Sequence, residues 1–189
     1  MKLISTSFLT AATLMLGAAN ANAGVVFDLY TGATAGFGRQ TITVDGHDYK
    51  GAAQSYGAVA GIDIPFVRVE AEYNYLDGKY ADTQIGALNA YIKMPGMVVV
   101  TPYIGGGIGM VLNVDVDKDE IGATFNYKES GKAVYQGMLG ATLDIPTLPF
   151  KIDLEGRIMY APNLIDIETI NETASATHYD ARIKLRYVF

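Results

Sequence analysis

The chain alternates with a period of two, and the two faces so defined carry different chemistry. One face shows Val67, Val69, Ala71, Tyr73 and Tyr75 over 67–75, and Ile152, Leu154, Gly156, Ile158 and Tyr160 over 152–160. Over 177–189 it shows Thr177, Tyr179, Ala181, Ile183, Leu185, Tyr187 and Phe189, and none of these 17 positions is charged. The opposite faces hold Arg68, Glu70, Glu72 and Asn74, then Lys151, Asp153, Glu155, Arg157 and Met159, then His178, Asp180, Arg182, Lys184, Arg186 and Val188. Eleven of those 15 are charged, where an 18% charged content would place about three. Successive side chains of a strand point to opposite sides of its sheet, so these are strands lying between two unlike media.

The same alternation defines eight segments, approximately 25–38, 53–64, 67–76, 84–93, 100–113, 132–144, 151–160 and 178–189, bounded by Gly, Pro, Asn and Asp clusters. Almost nothing reads at the helical period, and past the start of the chain there is no apolar run of about 18 residues. The start itself reads as a cleaved export leader over 1–23. Lys2 is followed by the uncharged stretch Leu3 to Gly17, and Ala21-Asn22-Ala23 has the small-x-small form of a cleavage site. That leaves 24–189 as one domain, with 13 basic and 20 acidic residues. An acidic balance speaks against nucleic acid as a partner, and the absence of Cys removes disulfides, thiolate metal sites and thiol nucleophiles together.

A soluble sandwich or a lipocalin-type barrel would also alternate, so periodicity alone does not choose. Three features do. Connections alternate between long and polar (39–52, 77–83, 114–131, 161–177) and short (Pro65, Met94-Pro95-Gly96, Pro146-Thr147-Leu148-Pro149), as expected of long external loops and short periplasmic turns. Tyr73, Tyr75, Tyr160 and Tyr179 lie near the loop ends of the apolar faces and Phe27, Tyr187 and Phe189 near the turn ends, the two levels where amphipathic rings meet headgroups. A sheet in hydrocarbon must also close so that no backbone donor or acceptor is left bare, and eight strands make the smallest common barrel. The expected fold is all-β, an eight-stranded antiparallel up-and-down transmembrane β-barrel.

Pro102-Tyr103-Ile104-Gly105-Gly106-Gly107-Ile108-Gly109, with Leu88-Asn89-Ala90-Tyr91 before it, is similar to the Pro-Tyr-x-Gly-x-Gly-x-Gly fifth strand of a known family. Over essentially all of 24–189 the chain resembles the small outer-membrane barrels of the opacity-protein and OmpA-transmembrane type. The resemblance implies the outer membrane of a Gram-negative bacterium, outer-membrane lipids as surroundings and no cofactor. It also implies that the ending Tyr187-Val188-Phe189, with Ile183 and Leu185 in step, is the signal read by the barrel-assembly machinery. Larger relatives append a peptidoglycan-binding domain, which the chain read to Phe189 does not carry, so cell-wall tethering is not carried over.

The charged faces would then meet in the lumen. Residues opposite one another on antiparallel strands have a constant index sum, and 337 for the seventh and eighth strands faces Asp153 with Lys184, Glu155 with Arg182, and Arg157 with Asp180. Arg68, Glu70 and Glu72 face them across the lumen, Arg186 continues the row, and inward Gly105, Gly107 and Gly109 leave space for long side chains. Paired buried charges make a polar plug. The alternative is a narrow channel for ions or small solutes along the same residues.

Other constellations carry less. Asp115, Asp117, Asp119 and Glu120 begin like a calcium loop, but Glu120 stands where Gly is needed and Asn126 where Glu is needed. The glycine run lacks dinucleotide spacing, and His47 and His178 are isolated, so no metal site is assigned. Some barrels of this size are lipid-A acyl-chain hydrolases with His, Ser and an acid together on the lipid-facing wall. Here His178 and Asp180 share the inward face and Ser175 falls in a predicted loop, so no catalytic residue is assigned and lipid-A modification is the third reading.

Loops 39–52, 114–131 and 161–177 hold Tyr49, Ile121, Phe125, Tyr127, Leu164, Ile165, Ile167 and Ile170, more apolar residues than solvated tips need. They are read either as surfaces for an extracellular partner or as strand continued beyond the membrane. The functional expectation is an envelope-structural and surface-interaction protein, not an enzyme.

Overall fold

The structure is a computed structural model and describes residues 27–44, 47–78, 81–94, 99–116, 131–145, 147–167 and 172–189. The leader over 1–23 and residues 121, 125, 127 and 170 lie outside them. Eight strands run in order: β1 (Asp28–Val44), β2 (His47–Asp63), β3 (Val67–Gly78), β4 (Ala81–Lys93), β5 (Val100–Val116), β6 (Ala133–Asp144), β7 (Phe150–Ile167) and β8 (Glu172–Val188). Each pairs antiparallel with its sequence neighbours, and β1 pairs with β8 from Tyr30↔Val188 to Thr43↔Ser175. The expected closed up-and-down barrel is the observed one. Closure leaves no edge strand in the ring to recruit another chain.

The distribution of burial is inverted relative to a water-soluble protein. Arg68, Lys184 and Arg186 are 0% exposed, whereas Phe37 is 66%, Ile108 64% and Leu139 65% exposed. Burial alternates without a break along β3 from Val67 to Leu76, with the charged and amide side chains inside. Soluble monomers do not present an apolar surface that covers a whole wall.

Exposed rings ring the barrel at two heights. Phe66, Phe150, Tyr187 and Phe189 lie at the end shared by the short connections and both described termini, with Tyr187 packed edge-on against Phe150 (centroids 5.3 Å) and Phe189 (5.1 Å). Phe37, Tyr56, Tyr135, Tyr160 and Tyr179 lie toward the other end. From Tyr179 to Tyr187 the tilted strand climbs about 20 Å, close to the roughly 25 Å apolar band of membrane barrels.

The strands outrun their expected limits, chiefly at the loop end. The segment 39–52 is not a long polar loop: β1 and β2 stay paired from Asp28↔Asp63 to Val44↔His47, and Thr43 Oγ1 donates to Asp48 Oδ1 at 2.9 Å. The β-branched Thr41, Ile42, Thr43 and Val44 favour strand, and Asp45-Gly46 is a dipeptide favoured between two hairpin strands. Likewise 77–83 is strand up to Gly78 and from Ala81, and 161–177 is strand up to Ile167 and from Glu172. Strand extension is therefore the reading of the apolar residues in 39–52 and 161–177 that the backbone supports. In 114–131, residues 117–130 lie outside the described residues. Ser175 belongs to β8 and not to a loop.

At the turn end, Leu148 N–H donates to Ile145 C=O (3.1 Å), and Thr147 inside this turn has φ of 81°. Phe189 N–H donates to Leu29 C=O (2.9 Å), tying the chain's last residue to β1.

Candidate functional site in the barrel interior

Alternation on three strands brings the ten expected residues together. β3 supplies Arg68, Glu70 and Glu72, β7 supplies Asp153, Glu155 and Arg157, and β8 supplies Asp180, Arg182, Lys184 and Arg186; all ten are 7% exposed or less. The β7–β8 ladder has the index sum 337, with Asp153↔Lys184, Glu155↔Arg182 and Arg157↔Asp180 opposite one another.

The ion pairs, however, do not follow those rungs. Lys184 Nζ reaches Glu70 Oε1 (2.6 Å) on the far side of the lumen. Arg186 grips Asp153 through Nε and Nη2, both at 2.9 Å. Arg157 pairs with Glu155 two residues away on its own strand (2.7 Å) and with Glu72 (2.7 Å), and Arg182 pairs with Asp180 (2.5 Å) and Glu72 (2.7 Å). The reason is reach. Cβ atoms of directly opposed residues are only about 5 Å apart, so an extended Arg or Lys overshoots its rung and ends one step along the strand or across the bore.

The network is layered along the axis. Nearest the turns, Asp63 bonds Arg186 Nη1 (3.2 Å) and Lys93 Nζ, while Thr142 Oγ1 donates to Asp153 (2.6 Å). Above it, Glu70 accepts from Tyr30 (2.8 Å), Tyr91 (3.0 Å) and Lys184, and Tyr103 donates to Glu155 (3.0 Å). Arg68 pairs with Asp153 (3.1 Å) and sets its guanidinium over Tyr91 (4.0 Å to the centroid) and Tyr103 (4.5 Å). Its Nε and Nη2 make no hydrogen bond among the described residues; the electron-rich ring faces take their place. Next comes Glu72, clamped by Arg157, Arg182 and Asn89 Nδ2 (2.7 Å), with Asp180 held by Ser55 Oγ (2.9 Å).

Six carboxylates (Asp63, Glu70, Glu72, Asp153, Glu155, Asp180) thus meet six cations (Arg68, Lys93, Arg157, Arg182, Lys184, Arg186), each within ion-pair distance of an opposite charge. Leaving one such group unpaired in a dry interior costs several kcal/mol. Matched numbers avoid that.

Two parts of the site escaped the sequence reading. Asp63, Lys93 and the inward tyrosines Tyr30, Tyr91 and Tyr103 sit on strands whose charged face is sparse, so no run of charge marked them. The glycines do leave space, but part of it is taken by neighbours on β4: a Cβ on Gly105 would stand 2.4 Å from Tyr91 Cδ1, and one on Gly107 would overlap Asn89 Oδ1. The second missed part is an apolar layer on the loop side of the ions, made by Leu76, Ile85, Val111, Val134, Met159, Ala161 and Ala176 with Ile42 packed on it. Its signal was present in the inward rows, which turn apolar as they leave the network: Asn74 to Leu76, Arg157 to Met159, His178 to Ala176.

Chemically, such an interior can hold itself together through paired charges and hydrogen bonds. Ser175 and His178 are separated by an odd number of steps and face opposite sides of β8, so they do not form a nucleophile–base pair. Among the described residues no group of three or more His, Asp or Glu could hold a metal ion.

No protein-family model matches the chain, and no curated protein sequence matches it significantly. Solved structures do match. Neisserial surface protein A superposes with a TM-score of 0.58 at 14% identity, over 82% of this chain and 95% of that one. The N-terminal β-barrel domain of Pseudomonas aeruginosa OprF superposes with a TM-score of 0.55 at 13% identity, over 84% of this chain and 97% of that one. Strand number, connectivity and closure agree, and the chain has the fold of the small eight-stranded outer-membrane β-barrels.

Proposed function

We propose that the chain is an integral outer-membrane barrel of a Gram-negative envelope whose lumen is a closed ionic plug, and that it serves as an envelope-structural protein presenting its loop-side strands and segment 117–130 for surface interaction. The observation that carries the plug is the six-against-six ion network roofed by the apolar layer. An ion entering from the loop side would shed its water against Leu76, Val111 and Val134 and then displace a paired charge, and both steps are costly. The apolar outer wall and two aromatic levels support the membrane setting, and Phe189, bonded to β1 at the closing seam, suits a signal read during assembly.

Planar-bilayer recording tests the plug: a flat current is expected, and stepwise openings lost in an Arg182→Ala/Glu155→Ala variant would establish the channel reading instead. The division of labour is tested in cells lacking the protein, which should lose resistance to detergent. A form without 117–130 that still inserts should restore that resistance; failure to restore it would place the structural role in the loops.

A further inference from the structure

The loop-side apolar layer encloses a small cavity with polar groups in its wall. The cavity, of about 30 Å³, is bounded by Leu76, Ile85, Val111, Val134 and Met159 and also by Gln40, Thr83 and His178. These three polar side chains are 6%, 3% and 4% exposed. Thr83 Oγ1 and both ring nitrogens of His178 make no hydrogen bond among the described residues, and Gln40 stands directly opposite His178 on the β1–β8 ladder. His178 Nε2 is 3.4 Å from Asp180 Oδ2, the carboxylate that holds Arg182 and Ser55.

Buried hydroxyl and imidazole groups find partners in folded proteins, because each orphan carries its full desolvation cost. An all-apolar cavity of this size stays dry, whereas one with two to four polar partners and more than about 10–15 Å³ of space holds water. We infer that this cavity is an internal hydration site: one or two ordered waters bonded to Thr83 Oγ1, the His178 ring and the Gln40 amide. Through His178 the site abuts Asp180. It is the hydrated step between the apolar roof and the ion network. The inference goes beyond the plug reading and holds whether or not the barrel conducts.

The test is water-to-protein cross-relaxation by NMR on the folded barrel in detergent micelles. Methyls of Ile85, Val111 and Val134 should show cross-peaks with water. These should be lost in a Thr83→Val/His178→Leu variant whose Arg157 and Arg182 side-chain N–H signals, reporting an intact network, are unchanged. Absence of the cross-peaks in the native barrel overturns the inference, as does their persistence in the double variant. Should the double variant not fold, Thr83→Val alone, of the same shape, should weaken the cross-peaks; unchanged intensity overturns the inference.

Discussion

Lys184 on β8 sets its ammonium 2.6 Å from Glu70 on β3, across the lumen, although the residue facing it in the β7–β8 ladder is Asp153. The energetic partner of a lumen charge is therefore chosen by side-chain length and bore width, and only indirectly by strand register. Lys184→Met should destabilise the barrel by about 3–5 kcal/mol, because Glu70 is left charged and short of a partner. Adding Glu70→Gln should recover much of that loss, whereas adding Asp153→Asn should not, since Asp153 keeps Arg68 and Arg186. Double-mutant cycles from urea unfolding in detergent or lipid read both couplings, and a stronger Lys184–Asp153 coupling would contradict the geometry.

Leu139, 65% exposed midway along β6, faces the surroundings of the barrel. Leu139→Arg on a water-facing wall would change stability little, but against hydrocarbon it should cost about 2–4 kcal/mol. Refolding equilibria in lipid vesicles give the value, and a neutral effect would count against lipid at this wall.

Gly105 leaves room for the Tyr91 ring, which bonds Glu70 and faces Arg68. Gly105→Ala should push Tyr91 away and destabilise by about 1–3 kcal/mol. The loss should be visible as earlier collapse of heat-modifiable migration on a detergent gel.

Thr147 holds a φ of 81°, where a branched side chain crowds its own backbone. Thr147→Gly should relieve about 1–2 kcal/mol of strain and give part of it back as chain entropy, for a net gain of up to about 1 kcal/mol. A higher urea midpoint with an unchanged slope is the expected readout.

Removal of Phe189 should slow insertion in cells far more than refolding of the purified chain. Its folded contacts include a ring packed on Tyr187 and a hydrogen bond to Leu29, so a loss in both assays to the same degree would make its role purely structural.

The barrel and its polarity were legible in the residues because each is written locally. A period of two with charge on one face declares strands between unlike media, and in the β7–β8 pair the requirement that like charges not face one another selects a single register. The ten network charges of β3, β7 and β8 were legible for the same reason, whereas Asp63 and Lys93, on sparsely charged faces, were not. The loop ends were less legible, since strand that continues beyond the apolar band carries polar residues such as Arg39, Thr41 and Thr43 on its outer face, and its composition imitates a loop. The Asp45-Gly46 hairpin signal was the local clue.

What the sequence determined by itself is which side chains of the charged rows enter the lumen, because along an unbulged strand that depends only on parity; in β5 the register shift opposite Gln84 and Ile85 buries both Val111 and Val114, which parity alone does not give. The tertiary structure decided which of the lumen side chains touch. Pairing across a closed ring depends on the bore, on strand tilt and on which neighbours are glycine, and these emerge only when eight strands stagger together. That is why Glu70 meets Lys184, why Tyr91 fills the place beside Gly105, and why the apolar ends of the inward rows converge into one roof over the ions.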